Sequence, residues 1–267
     1  MSQAVGSVAV VQNKRQWHLG ATAISALIAA LAVFPVLIVA STLLSPTPEI
    51  WQHLWDTLLP LLLRNTLLLL LGVGIGTLLL GAGLAWLVTA YEFPGRTLFQ
   101  WLLMLPMAVP AYIMGFVFMA TFDAAGPVQG TLVQWFGSAA WFPEVRSPLG
   151  AITVMALVLY PYVYMLALVG YRGISSTAFD TARVHGYSRS QFYWKVVLPI
   201  SRPAIAAGVA LALMEALANF ATVRFFNFPT LADGVVRIWH GMMDLQAASE
   251  LAGLLAIVAL AALLIER

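Results

Sequence analysis

Residues 180–199 read DTARVHGYSRSQFYWKVVLP and form a polar, basic stretch in a chain that is otherwise strongly apolar. Of the 267 residues, 61% are hydrophobic and 9% are charged, whereas soluble domains carry about a quarter charged residues. Several apolar runs are also long enough to cross a bilayer core about 30 Å thick. These features predict an all-α integral membrane protein, in which the polar stretch lies outside the membrane.

Hydropathy predicts six membrane spans on either side of that stretch, at roughly 20–44, 66–90, 98–122, 149–171, 203–223 and 250–265. Lys14 and Arg15 precede the first run, as they would in a signal peptide. The run is longer than the signal-peptide core of about 7–15 residues, so we expect a retained helix. We therefore predict an N-terminal segment over 1–19 and one transmembrane domain over 20–267.

The distribution of lysine and arginine predicts a cytoplasmic N-terminus. With that orientation, nine of the thirteen basic residues fall on the inner side, which short loops rich in Lys and Arg prefer. The outer segments are then about 45–65, 123–148 and 224–249. The four outer basic residues are Arg64, Arg146, Arg224 and Arg237.

Capping patterns predict two short helices in the inner loop of about 174–202. Thr177 and Asp180 have the spacing of a capping box, and a first helix would run to His185. Gly186 would end it, because a residue without Cβ suits the left-handed position after a helix.

The second helix is predicted to begin at another capping box, formed by Ser188 and Gln191. We expect Pro199 to interrupt it, because proline lacks the backbone N–H of a helix interior. Span five would then begin near Pro203.

Three interpretations of this loop are open. A basic loop can rest on anionic lipid headgroups, which is the commoner fate of such segments. A glycine in the turn is also typical of a DNA-binding helix-turn-helix. Membrane spans flank the loop, so we expect no nucleic-acid partner. The third interpretation is a docking surface for a cytoplasmic partner.

A resemblance favours the docking surface. The loop resembles the EAA signature of ATP-binding cassette importer permeases, which reads Glu-Ala-Ala, three residues, Gly, nine residues, then Ile-x-Leu-Pro. The chain has Asp for Glu, Thr for the first Ala and Val for Ile. The resemblance implies a type I importer permease whose coupling helix docks on a cytoplasmic ABC ATPase dimer. The matching residues are Asp180, Thr181, Ala182, Gly186, Val196, Leu198 and Pro199.

Three further stretches resemble ferric-iron importer permeases, namely LPMAVPAY at 105–112, LYPYVYMLAL at 159–168 and LMEALANFATV at 213–223. That subfamily commonly has Asp and Gly where this chain has Asn219 and Ala221. The resemblance implies a bacterial inner-membrane protein that receives iron from a periplasmic binding protein. It also implies a second permease unit, either in a longer chain or in another subunit. Related permeases carry thiamine, polyamines or phosphonates, which remain alternative cargoes.

A carboxylate in span five is the strongest candidate for the translocation pathway. Glu215 lies in mid-span, where a charge is costly unless it is paired or hydrated, and Gly208, Ala212 and Asn219 recur at helical spacing with it. The alternative is a structural pair with Arg224. Pro106 and Pro110 free backbone carbonyls within span three, which favours a kinked helix beside a pore.

The sequence contains no motif for covalent chemistry. It has no phosphate-binding G-x-x-x-x-G-K-[ST] loop, no H-E-x-x-H zinc motif and no cysteine. We expect no catalytic residue, no metal site and no cofactor, with ATP bound by the partner subunit. The glycines between 72 and 83 are interpreted as helix-packing residues. A membrane scaffold that moves no solute is a further alternative.

Overall fold

The computed structural model describes residues 2–44, 48–174, 184 and 186–265. None of these residues forms a strand. A 3₁₀ turn lies at Leu105–Ala108 and a π turn at Tyr193–Val197. The α helices in this part of the chain are α1 Ser2–Thr42, α2 Pro48–Thr57, α3 Leu59–Ala90, α4 Arg96–Leu102, α5 Ala111–Phe122, α6 Pro127–Phe136, α7 Pro148–Arg172, α8 Arg189–Phe192, α9 Leu198–Ala218, α10 Phe220–Phe225, α11 Leu231–Met242 and α12 Leu245–Ile265.

Six helical segments are long and apolar enough to cross a membrane, which confirms the predicted all-α, six-span fold. Each of the six predicted spans overlaps one of them. The segments are Gly20–Thr42, Leu59–Ala90, Ala111–Phe136, Pro148–Arg172, Ser190–Ala218 and Leu245–Ala262.

Helix α7 is the most buried span and forms the centre of the bundle. It begins where Ser147 accepts a hydrogen bond from the Gly150 N–H at 3.2 Å, as an N-cap residue does. On one side, a Cβ at Gly81 of α3 would lie 2.6 Å from the Val163 Cβ. On the other side, a Cβ at Gly208 of α9 would lie 2.7 Å from the Val163 Cα. Glycine therefore lets both neighbouring helices approach α7 closely, and the packing interpretation of the α3 glycines holds at Gly81.

Helix α1 lies outside this core. No residue of its apolar stretch, Gly20–Thr42, is buried within the chain. The helix meets α12 near its end, where Leu43 packs against Gly253. Its large apolar side chains therefore face lipid or another subunit.

The prediction of one continuous span over 98–122 is wrong. Helix α4 ends at Leu102, and the chain passes through the 3₁₀ turn before α5 begins at Ala111. Val109 and Pro110 have extended backbone conformations. Two prolines four residues apart remove donors from one helical ladder, so the helix breaks instead of kinking.

The prediction that Pro199 interrupts the helix before span five is also wrong. Pro199 occupies the first turn of α9, which continues directly from the preceding π turn. The π turn precedes it, and the Leu198 N–H donates to the Tyr193 carbonyl. This wider turn lets the chain pass the proline ring without a break. Span five therefore begins before Pro203, which lies inside α9.

Candidate coupling and translocation site

The described part of the predicted coupling segment has the local geometry expected from its sequence. Gly186 has φ +74°, in the left-handed region that favours glycine. The Ser188 N–H donates to Gln191 Oε1 at 3.0 Å, and the Gln191 N–H donates to Ser188 Oγ at 3.2 Å. These reciprocal bonds confirm the second capping box. Asp180, Thr181, Ala182 and the first predicted helix, apart from Val184, lie outside the described residues.

The second short helix presents different side chains to the bundle and to the exterior. Phe192 and Val197 are buried in a cluster with Ala85 of α3 and Leu168 of α7. Trp194 is 64% exposed. Apolar contacts therefore anchor the segment to two spans, while an aromatic side chain stays available on its outer face.

An aromatic cluster adds polar and ring contacts to this anchor. The Tyr171 hydroxyl of α7 donates to the Ala82 carbonyl of α3 at 3.3 Å and lies 3.2 Å from the Tyr193 hydroxyl. The Trp86 ring of α3 lies 4.6 Å from the Tyr193 ring, centroid to centroid. The π turn is therefore tied to both α3 and α7.

A continuous helical path joins this segment to Glu215. It runs through α8, the π turn and α9 from Ser190 to Ala218, without an intervening loop. At about 1.5 Å per residue, the path from Ser190 to Glu215 is about 38 Å long. The described part of the predicted coupling segment from Ser190 onward and Glu215 therefore belong to one continuous helical stretch.

Glu215 is exposed on α9, between the exposed side chains of Met214 and Ala218. It has no hydrogen-bond or ion-pair partner in the part of the chain that the structure describes. The structural pair with Arg224 is not formed, because Arg224 contacts Asp233. The Glu215 side chain therefore points to the outer surface of this chain.

The other residues of the predicted polar face differ in position: two are buried and one ends the helix. Gly208 and Ala212 are buried in the bundle, so they do not share the exposure of Glu215. Asn219 ends α9 and caps α10, with its Oδ1 accepting from the Thr222 N–H at 3.1 Å. Span five is therefore broken at Asn219, because the side chain competes with the helix for a backbone donor.

Pro106 and Pro110 belong to the interrupted segment that precedes α5. Ala111, the residue after Pro110, packs in the same apolar cluster as Ala212 and Ala216 of α9. The interruption lies against α7, which in turn packs against α9. Pro110 is exposed and Pro106 is partly buried.

Sequence reasoning missed two buried carboxylates near the predicted outer face. Asp233 of α11 is fully buried and contacts Arg224 Nε at 3.0 Å and the Arg237 Nε. Glu250 of α12 is 1% exposed and accepts from the Trp51 indole N–H. Spacing gives a signal for Arg237, which lies four residues after Asp233 on one helix. The Arg224–Asp233 contact joins two consecutive helices, and the Trp51–Glu250 contact joins residues 199 positions apart.

Two cavities lie along α9 and α10. One of about 540 Å³ is apolar apart from Arg202 and lies between α9, α3 and α12. Another of about 390 Å³ lies between α5 and α10 and contains Asp123, Arg146 and Arg224. Among the residues that the structure describes, no three His, Asp or Glu side chains are grouped to hold a metal ion.

Permease proteins of several transport systems are similar to parts of this chain. The sulfate transport system permease protein CysT of Salmonella typhimurium is 30% identical over 179 residues, which cover 66% of this chain and 63% of that protein. The molybdenum transport system permease protein ModB of Escherichia coli is 28% identical over 148 residues, 55% of this chain and 63% of that protein. The Fe(3+)-transport system permease protein FbpB 2 of Haemophilus influenzae is 25% identical over 195 residues, 73% of this chain. The chain spans 34% of that iron relative.

A solved structure has the same fold. A bacterial ABC transporter involved in the import of the acidic polysaccharide alginate matches 95% of this chain and 94% of its own, with a TM-score of 0.77 at 18% identity. Residues 77–265 match the model of the family described as "Binding-protein-dependent transport system inner membrane component". This chain belongs to that family of inner-membrane permease components.

Proposed function

We propose that this chain is a permease component of an ATP-driven importer and works by alternating access. The observation that carries the proposal is the unbroken helix from Ser190 to Ala218, which joins the predicted coupling segment to the exposed Glu215. A cytoplasmic ATPase dimer would bind residues 180–199. Its closure would displace the segment, and α9 would pass the displacement into the membrane. The permease itself would carry out no covalent chemistry.

The pathway is proposed to run along the exposed face of α9. Glu215, Asn219 and the interruption at Pro106 and Pro110 would contribute to its wall. An intramembrane carboxylate is tolerated where it is hydrated or paired across an interface. Because Glu215 is exposed, water in the path could hydrate it. A second permease unit that covers the same face could also provide a partner for it.

The exposed α1 supports the same arrangement. Its apolar stretch buries nothing within this chain, so a second permease unit is the proposed partner, together with membrane lipid. A periplasmic binding protein would deliver cargo to the outer segments. The N-terminal segment and residues 180–199 would lie in the cytoplasm.

For the cargo, we propose ferric iron on the strength of the three stretches that resemble iron permeases. An iron permease of Haemophilus influenzae supports this assignment, since its alignment with the chain is longer than those of the sulfate and molybdenum relatives. A second candidate is a small oxyanion. The sulfate and molybdenum relatives favour it, and so do the arginines that line the cavity between α5 and α10.

The test is uptake of labelled ferric iron, sulfate and molybdate by the source bacterium, with the gene deleted and then restored. Loss of one uptake on deletion and its recovery with the wild-type gene would identify the cargo. Normal uptake of iron in the deletion strain would remove the iron assignment. Thiamine, polyamines and phosphonates would then be tested in the same strains.

Topology is tested with single cysteines, because the native chain has none. Ser190 is exposed in the predicted coupling segment, and we expect Ser190→Cys to react with a membrane-impermeant maleimide in inside-out vesicles only. Reaction only in right-side-out vesicles would reverse the proposed orientation.

A further inference from the structure

The cavity between α5 and α10 carries an unusual concentration of charge for an apolar protein. Its walls contain the guanidinium groups of Arg146 and Arg224, the carboxylate of Asp123, and the rings of Phe116 and Phe225. The two rings lie 6.0 Å apart, centroid to centroid. The cavity lies toward the predicted outer face, where cargo would arrive.

Arg224 forms an ion pair with the buried carboxylate of Asp233. Its Nε lies 3.0 Å from Asp233 Oδ1, and the Nε of Arg237 contacts the other oxygen of the same carboxylate. Asp233 is fully buried, whereas the Arg224 and Arg237 side chains are 47% and 44% exposed. Neither arginine has a partner for its terminal nitrogens among the described residues. Asp233 therefore orients the Arg224 guanidinium group, and the terminal N–H groups of Arg224 remain available as donors.

The charge of Arg224 is only partly compensated. One Asp233 carboxylate is shared between two guanidinium groups, so it neutralises neither of them. Across the cavity, Asp123 Oδ2 contacts Arg146 at 2.8 Å and compensates that residue alone. The three arginines carry three positive charges and the two aspartates carry two negative charges, which leaves one excess positive charge. These residues are Arg146, Arg224, Arg237, Asp123 and Asp233.

We propose that Arg224, opposed by Arg146 and oriented by Asp233, forms a binding site for a small anion with charged oxygens. The proposal rests on the proposed importer function and names the cargo class that the site would receive. Guanidinium donors match the geometry of oxyanions and carboxylates. A free oxyanion and an anionic chelate of ferric iron share this chemistry. A concave site with a fixed guanidinium suits a small anion better than the surface of an acidic protein.

The experiment is equilibrium binding to the complete importer in lipid nanodiscs, without its binding protein and without ATP. The probes are labelled sulfate, molybdate and ferric citrate at constant ionic strength. We expect saturable binding of a probe to the wild-type protein and a dissociation constant about tenfold or more higher for Arg224→Gln, because a charge-assisted pair is lost. Arg224→Lys keeps the charge but not the fork, and we expect an intermediate loss.

Two variants control for folding and for general charge. Arg146→Gln removes the opposite, exposed arginine and should weaken binding while the melting temperature is retained. Arg64→Gln removes an exposed arginine of α3 that does not line the cavity, and should leave binding unchanged.

Each outcome decides the proposal. Binding of sulfate or molybdate identifies a free oxyanion, and binding of ferric citrate alone identifies the chelate. The proposal is overturned if the wild type binds no probe, or if Arg224→Gln and Arg146→Gln bind as the wild type does. Unchanged anion binding with lost capture of the binding protein would assign the arginines to an acidic docking partner. Anion binding without ATP-driven uptake would keep this site and reject the importer function.

Discussion

The hydroxyl groups of Tyr171 and Tyr193 lie 3.2 Å apart, linking the most buried span to the π turn that leads into α9. Tyr171 donates its proton to the Ala82 carbonyl, so Tyr193 is the donor to Tyr171. Trp86 packs on the Tyr193 ring. The proposed coupling segment is therefore fixed to α3 and α7 by directional contacts as well as by apolar burial.

Tyr193→Phe removes the hydroxyl of this link and keeps the ring contact with Trp86. We expect a loss of about 1 kcal/mol in the free energy of unfolding, because Tyr171 still has the Ala82 carbonyl as its acceptor. Tyr193→Ala also removes the ring and should lower the ATP hydrolysis that the binding protein stimulates. Thermal melting and ATPase assays on the reconstituted importer measure the two effects. Tyr162→Phe deletes a hydroxyl elsewhere in α7 and should change neither.

Replacement of Gly186 tests the turn before the second short helix. A Cβ at this position would meet no atom within 4 Å among the described residues, so a substitution acts through the backbone conformation. The φ of +74° costs a β-branched residue about 1–2 kcal/mol, whereas Asn tolerates it. We expect Gly186→Val to reduce stimulated ATP hydrolysis and Gly186→Asn to resemble the wild type. Equal activity in both variants would remove the turn from the coupling mechanism.

Glu215→Ala tests the proposed pathway. Because Glu215 has no partner in the described part of the chain, its removal should leave assembly and thermal stability unchanged. Transport should fall, since the polar wall of the path is lost. Met214→Leu alters a neighbouring exposed side chain and serves as the control. Retained transport in Glu215→Ala would remove the residue from the proposed pathway.

Asp233→Asn tests the buried carboxylate that holds Arg224 and Arg237. The substitution leaves two guanidinium groups facing each other, although both can reach water. We therefore expect a loss of about 1–3 kcal/mol in stability, less than for a fully enclosed ion pair. Asp123→Asn breaks a more exposed pair and should cost about 0–1 kcal/mol. Melting curves of both variants check the order.

The sequence predicted most reliably the elements whose ends carry local signals. Hydropathy predicted the span 149–171, which differs from α7 by one residue at each end, and the structure shows Ser147 as its N-cap and Pro148 as its first residue. The Ser188 and Gln191 capping box was also visible in the spacing. Both depend on contacts within one helical turn.

Proline was harder to interpret because its effect depends on position. Pro199 lies in a first helical turn and is accommodated, whereas Pro106 and Pro110 together break the helix. The rule that proline interrupts a helix therefore failed at Pro199 and underestimated the break in span three.

Long-range contacts could not be predicted from one sequence. Asp233 meets Arg224 because α11 folds back onto the end of span five, and Trp51 meets Glu250 from 199 residues away. The alternative role for Glu215 was a structural pair with Arg224. The structure pairs Arg224 with Asp233 and leaves Glu215 exposed.

The most direct test of the account is ATP-dependent uptake into proteoliposomes that contain the complete importer and receive its binding protein. We expect labelled cargo to accumulate only when ATP is supplied on the side of residues 180–199. Gly186→Val should reduce this accumulation, while Gly186→Asn should retain it. Accumulation that needs no ATP, or that is equal in Gly186→Val and the wild type, would contradict the proposed coupling through this segment.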